Sequence, residues 1–158
     1  MNTNMHTYKY QSESVEDTIQ LGCKLGGSLK AGDMIALDGM LGAGKTQFVK
    51  GITRGVGGNP EHVSSPTFVI AQEYLGGKVP IIHIDAYRLE SLSDLDSIGW
   101  SDEMLINAIV ICEWAEKIKN DLPGNTLSVD FEHINDSSRV IHMELTEEWN
   151  ERLKGNLD

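Results

Sequence analysis

The sequence predicts a layered α/β domain on a mixed sheet, parallel at its centre and antiparallel at its margins. Two short runs, MIAL (34–37) and AIVIC (108–112), are continuously apolar, as strands buried on both faces of a parallel sheet are. Segments 125–134 and 137–145 instead alternate apolar and polar residues around a turn at Asn135 and Asp136, the mark of an antiparallel hairpin. Stretches with a helical repeat of apolar residues lie between these runs, so strands and helices interleave.

Taken in order, TYKYQ (7–11) reads as a short edge strand. Ser14 stands three residues before Asp17, a capping-box-like start, and Val15, Ile19, Leu21, Leu25 and Leu29 supply one face, which predicts a first helix over 14–30. MIAL follows as a buried strand. Beyond a glycine-rich stretch, Phe48, Val49 and Ile52 form the inner face of a second helix that the glycines at 55, 57 and 58 should stop. TFVIAQEY (67–74) and VPIIHIDAY (79–87) are strand-like on either side of LGGK, a hairpin signal. SLSDLDSIGWSDEML (91–105) has turn and helix character, AIVICEW (108–114) returns to strand, and EEWNERLK (147–154) closes the chain as a helix after the second hairpin.

At 158 residues, 40% apolar and 23% charged, the composition is that of ordinary globular protein, and one domain over 1–158 is expected, with the first five or so residues frayed. The apolar runs fall far below the roughly 20 residues of a membrane span. MNTNMHTYKY has no apolar signal region, so the cytoplasm is the expected location. Cys23 and Cys112 show no CxxC spacing, the five histidines form no ligand pattern with them, and both thiols are expected to be buried. A net charge of −11 with scattered lysines and arginines argues against a direct, non-specific hold on nucleic acid; any link to RNA should run through a partner protein.

The stretch LDGMLGAGKTQF (37–48) fits G-x-x-x-x-G-K-[ST] with Gly39, Gly44, Lys45 and Thr46, between a predicted strand and a predicted helix. Small residues at 42 to 44 let successive backbone N–H groups wrap a phosphate, and the helix N-terminus adds partial positive charge. Lys45 reaches the outer phosphates and Thr46 is placed to ligate magnesium. By average residue usage the pattern arises by chance in roughly one chain in a few hundred of this length, where it is a glycine-rich turn with a surface lysine. With its flanks it sharpens the fold class to a P-loop NTPase-like three-layer domain.

Such a loop needs an acid at the end of a neighbouring strand to hold the magnesium shell, and VPIIHIDAYR offers Asp85; the plainer alternative is a carboxylate capping a turn. Glu113 follows AIVIC at the carboxyl end of another buried strand, where ligands gather in open α/β sheets, and should face one cleft with Asp85 unless it only makes a strand-end salt bridge. HVSSPTF (62–68) stands where other phosphate-loop hydrolases keep a switch that senses the outer phosphate, with Thr67 as the sensor. Trp100 and Trp114 read as core packing more readily than as a partner surface. No N-K-x-D clamp is present, and the D-x-x-G match at Asp96 to Gly99 follows no apolar strand, which disfavours a GTPase. Four arginines, Arg54, Arg88, Arg139 and Arg152, are few for a small-metabolite kinase, which stays as the alternative, beside a nucleotide-sensing module without turnover.

LGAGKT with Phe48, then SSPTF, HIDAYRL, GWSDEM and CEW, in that order and spacing, resembles the bacterial TsaE (YjeE) family of small ATPases over about residues 14 to 118. The resemblance implies a role in making threonylcarbamoyladenosine at adenosine 37 of tRNAs that read codons starting with A. Its partners would be TsaB and TsaD, and its hydrolysis of ATP would be magnesium-dependent, weak alone and stimulated by that pair. It further implies that Leu41, Gly42, Ala43, Gly44, Lys45 and Thr46 bind the ATP phosphates, that Thr46 and Glu113 ligate magnesium, and that Asp85 and Thr67 serve hydrolysis. The family flanks the adenine with the start of the first helix and a late strand, which in this chain points to Val15 and Arg139. Two departures stand out: Gln47 where the family often repeats threonine, and Ala86 where a bulkier apolar residue is common.

Overall fold

The computed structural model describes residues 5–40, 44–66 and 69–157. Its sheet has seven strands: β1 (His6–Ser12), β2 (Met34–Gly39), β3 (Ala71–Tyr74), β4 (Ile81–Asp85), β5 (Ile109–Glu113), β6 (Leu127–His133) and β7 (Arg139–Leu145). They lie in the order β1-β7-β6-β2-β5-β4-β3. The four central strands, β6, β2, β5 and β4, are mutually parallel, and β1, β7 and β3 join antiparallel at the margins.

Side-chain alternation along the strands sends residues to two cores. Ile35, Leu37, Ile109 and Ile111 meet the helices α1 (Val15–Gly26), α2 (Lys45–Val56) and α5 (Glu147–Leu153) on one face. Met34, Ala36, Val110 and Cys112 pack on the other face beneath two short helices, α3 (Asp94–Ser97) and α4 (Asp102–Ile106), and 3-10 turns at Ala86–Arg88 and Ala115–Asp121. Three layers result, as expected, the second helical layer being thin. Cys112 is buried, which pushes its thiol up from the ordinary value, but Cys23 is only half-buried.

Element boundaries differ from the sequence reading where tertiary pairing or local chemistry intervenes. Ser14 caps α1 as expected, its hydroxyl accepting from the Asp17 N–H at 3.0 Å while the Asp17 carboxylate accepts from the Glu13 N–H. The helix ends at Gly26, short of residue 30, because Gly27 closes its last turn and Leu29 packs on the core from the turn beyond. β2 runs past MIAL because Asp38 and Gly39 still pair with Asp130 and Phe131 of β6. β3 is shorter than 67–74: residues 67 and 68 lie outside the described ones, and Ile70, with φ of 68°, leaves the extended conformation.

Gly55 does not stop α2, which runs to Val56 and ends at a left-handed Gly57. It belongs instead to a close contact between helices. Gly22 and Gly26 of α1 and Gly51 and Gly55 of α2 face each other so tightly that a Cβ on any of them would collide with a carbonyl oxygen of the other helix. Because Gly22 meets the Phe48 turn and Gly26 the Ile52 turn, the two helices run the same way, and the first residue of α1 arrives beside the first turn of α2. Gly51→Ala is expected to cost about 2–3 kcal/mol, the scale of overpacking in a close-packed interior. Gly124→Ala, whose Cβ would meet nothing within 4 Å, should stay within about 0.5 kcal/mol. Urea midpoints of the two variants read the difference, and equal midpoints would contradict the packing account.

Candidate functional site

Parallel strands end together, so Gly39 of β2, Glu113 of β5 and Asp85 of β4 emerge along one edge of the sheet, the edge where open α/β sheets bind ligands. Two further elements start there. β7 begins with Arg139 opposite His133, the last residue of β6, and α1 begins beside α2. A cleft of about 310 Å³ opens at this edge, lined by Val15, Lys45, Thr46, Ser65, Glu113 and Arg139 among others.

Lys45 is the first residue of α2 and only 5% exposed, so its ammonium needs partners from the protein. It donates to the Gly39 carbonyl at 2.8 Å, lies 3.8 Å from Glu113 Oε1 and sits 4.7 Å from the centroid of the Trp114 ring. Glu113 Oε2 is 2.5 Å from Nε2 of His83, which is fully buried in β4. His83 Nδ1 is hydrogen-bonded to the Tyr74 hydroxyl at 2.9 Å, and that hydroxyl reaches the Ser64 carbonyl at 3.0 Å. Burial pushes the Tyr74 phenol up to about 12, so the group stays protonated through the neutral range. One carboxylate thus joins the lysine of α2 to a chain of buried side chains that ends on the backbone before Ser65.

Trp114 follows Glu113 with φ of 57°, a left-handed conformation that a residue with a Cβ adopts at a cost of order 1–2 kcal/mol. Its ring packs edge-on against Tyr87 with centroids 5.4 Å apart. The sequence reading as core packing does not hold for Trp114, which is half-buried, joins neither core and borders Lys45, whereas Trp100 packs against the second core. His83, Tyr74 and Trp114 were all missed as site residues. A histidine inside an otherwise apolar strand, IIHID, was the available signal, because a buried imidazole must find hydrogen-bond partners.

Asp85 lies level with Glu113 on the neighbouring strand and is 5% exposed, but it does not line the cleft that Glu113 shares with Lys45. One of its oxygens accepts the Tyr87 N–H at 2.9 Å and starts the turn Ala86–Arg88. Thr46, Val15 and Arg139 all reach the cleft. Arg139 is 6% exposed, and its described hydrogen bond is a long one from Nη1 to the Thr18 hydroxyl, 3.4 Å. Its guanidinium lies against Gly44, where a Cβ would come within 3.2 Å of it and where φ is +106°. Leu41, Gly42, Ala43 and Thr67 lie outside the described residues.

The donors present suit a nucleotide with magnesium. Two cationic side chains, Lys45 and Arg139, flank the N-terminus of a twelve-residue helix, a combination that favours phosphate. No group of three or more acidic, histidine or cysteine side chains that could hold a metal occurs among the described residues. Magnesium on a phosphate ligand needs only one or two protein oxygens, however, and the Thr46 hydroxyl and Glu113 carboxylate share the cleft. A larger recess of about 560 Å³ elsewhere, where Asp38, Glu116, Asp130 and Glu144 outnumber Lys119 and His142 in the lining, has the wrong sign for phosphate, and burial holds the Asp38 carboxyl above its ordinary range.

Comparison with known proteins gives a consistent result. Residues 12–141 match the family model for threonylcarbamoyl adenosine biosynthesis protein TsaE. The tRNA threonylcarbamoyladenosine biosynthesis protein TsaE of Treponema pallidum is 36% identical over 130 residues, 82% of this chain and 95% of that protein. The protein of the same name from Bacillus subtilis is 34% identical, over 87% of this chain and 85% of its own. The crystal structure of Bacillus subtilis YdiB superposes with a TM-score of 0.78 at 25% identity, covering 98% of this chain and 97% of that one.

Removing the Glu113 carboxylate leaves Lys45 and His83 buried without their shared partner. Glu113→Ala is therefore expected to lose about 2–4 kcal/mol of folding stability at neutral pH, in line with breaking a buried ion pair from one side. Denaturant midpoints measure it, and a midpoint equal to or above that of the parent would contradict the network.

Proposed function

This chain belongs to the TsaE family of threonylcarbamoyl adenosine biosynthesis proteins, and on that premise we propose that it is a magnesium-dependent ATPase whose turnover supports tRNA threonylcarbamoyladenosine formation together with TsaB and TsaD. The observation that carries this reading is the convergence of buried Lys45 at the start of α2, Glu113 beside it and buried Arg139 opposite, all in one cleft at the carboxyl edge of the parallel strands.

In this reading the adenine lies between Val15 and Arg139, and the phosphates lie along residues 41 to 46. Lys45 exchanges its bond with the Gly39 carbonyl for phosphate oxygens, a short move for a flexible side chain already aimed into the cleft. Thr46 and Glu113 would hold magnesium, which would neutralise charge at the outer phosphates. Hydrolysis then joins a water oxygen to the γ-phosphorus and breaks the bond to the β–γ bridging oxygen, releasing ADP, phosphate and a proton; Thr67 is assigned to this step, and Asp85, whose carboxylate caps the Ala86–Arg88 turn outside the cleft lining, would have to leave that turn to serve it. The Trp114 ring over Lys45 keeps bulk water from one side of the ammonium and strengthens its field.

The net charge of −11 supports a division of labour, in which TsaB and TsaD engage the tRNA and this chain supplies the nucleotide cycle. Phosphate release would let the assembly relax between rounds. The acidic surface is then suited to protein partners and repels nucleic acid.

Nucleotide binding measured by calorimetry separates the two cations. Lys45→Ala should weaken binding of magnesium ATP by about 100-fold or abolish it, as loss of a charge-assisted contact in a sheltered site does. Arg139→Ala should weaken binding by about 10-fold, the scale of a cation–ring contact, with a smaller change in turnover per bound nucleotide. Wild-type affinity and turnover in Lys45→Ala would overturn the reading.

A further inference from the structure

We propose that Tyr74 and His83 are positioning residues that hold the segment 64–66 in fixed register with the Glu113 carboxylate, so that a displacement at that carboxylate is passed to the segment. The inference rests on the reading of this cleft as a nucleotide site and adds to it a coupling route within the chain.

His83 stands in a strand that is otherwise apolar up to its terminal acid, with no exposed surface and both ring nitrogens engaged, one on Glu113 and one on Tyr74. An apolar residue would fill that position at less cost, since a buried polar ring is stable only when fully paired. The pairing leads in two directions, toward Lys45 and toward Ser64. The Tyr74 hydroxyl meets the Ser64 backbone twice, reaching the carbonyl at 3.0 Å and lying 3.4 Å from the N–H, so a single side chain holds both backbone polar groups of one residue. Gln72 on the same strand adds a contact to the Ser64 hydroxyl at 3.2 Å. The next residue, Ser65, lines the cleft.

The far end of this stretch is tied as well. The Pro66 carbonyl accepts the N–H groups of Val69 and Ile70 at 3.1 and 2.9 Å, and the Ile70 carbonyl accepts the Asp85 N–H at 2.7 Å. Ile70 takes its left-handed φ of 68° at that junction. One end is therefore anchored through Tyr74 and His83 to Glu113, and the other through Ile70 to Asp85, the residue level with Glu113 on the adjacent strand. Hydrogen bonds of 2.5 Å from carboxylate to imidazole and 2.9 Å from imidazole to phenol, among close-packed side chains, leave little slack, so motion of the carboxylate moves the imidazole and the phenol instead of being absorbed.

Hydrogen–deuterium exchange of the ligand-free protein tests this without any turnover. In Tyr74→Phe, which keeps the ring, exchange over 62–66 should rise about tenfold, the loss expected for one hydrogen bond, while the β6–β7 hairpin exchanges as in the parent. Glu113→Gln, which keeps the shape of the side chain and removes its charge, should raise exchange over 62–66 in the same selective way. A merely structural role would speed exchange throughout and lower the melting temperature without this selectivity. With magnesium ADP as probe, Tyr74→Phe should bind within about twofold of the parent, lose the protection that the probe confers on 62–66, and turn over ATP about tenfold more slowly. Parent-like exchange over 62–66 in Tyr74→Phe overturns the proposal. If that variant does not fold, parent-like exchange there in Glu113→Gln overturns it instead. Failure of the parent protein to bind magnesium ADP would sink the nucleotide reading, while the ligand-free exchange would still decide the coupling.

Discussion

Glu113 has two oxygens, and each is committed to a different part of the molecule: Oε1 faces the Lys45 ammonium and Oε2 the His83 ring. A carboxylate so deeply placed is stable only because both neighbours answer its charge or its lone pairs. The sheet provides the position, since Glu113 ends a strand whose other residues are apolar and fully packed, and pairing with β2 and β4 fixes where its side chain emerges. The rest of the site is arranged about that point. The lysine rides on α2, the imidazole on β4, and Trp114 follows directly in the chain.

Bringing α2 and α1 to the same place depends on a backbone contact that only glycine permits. Four glycines in two helices let the axes approach until no room is left for a Cβ beside the opposing carbonyl oxygens, and the shared direction puts Val15 next to the start of α2. Antiparallel β7 returns Arg139 to the same edge. Elements far apart in sequence are thereby gathered at one cleft, with a cationic residue on either side of the helix N-terminus.

Much of this was legible in the sequence because its signals are local. The apolar runs at 34–37 and 108–112, the hairpin at 125–145 and the Ser14 cap each depend on neighbouring residues, and each appears where expected. Strand-end acids could be placed for the same reason. What the sequence did not disclose is tertiary. Gly55 reads as a helix stop until α1 is seen against it, Leu29 belongs to the helical face only until Gly27 ends the helix, and Tyr74 is an ordinary strand tyrosine until His83 meets its hydroxyl. Asp85 shows a limit of another kind. Both readings of it start from a strand-end carboxylate, and local sequence does not tell that Asp85 caps a turn while Glu113, level with it on the next strand, lines the cleft.

The proposed dependence of ATP turnover on the buried Glu113 carboxylate and on TsaB and TsaD is most directly tested by steady-state ATP hydrolysis with magnesium, by this protein alone and with TsaB and TsaD added. Weak turnover alone, strong stimulation by the pair and loss of that stimulation in Glu113→Ala is the expected pattern. Turnover that ignores the pair, or that survives in folded Glu113→Ala, would contradict it.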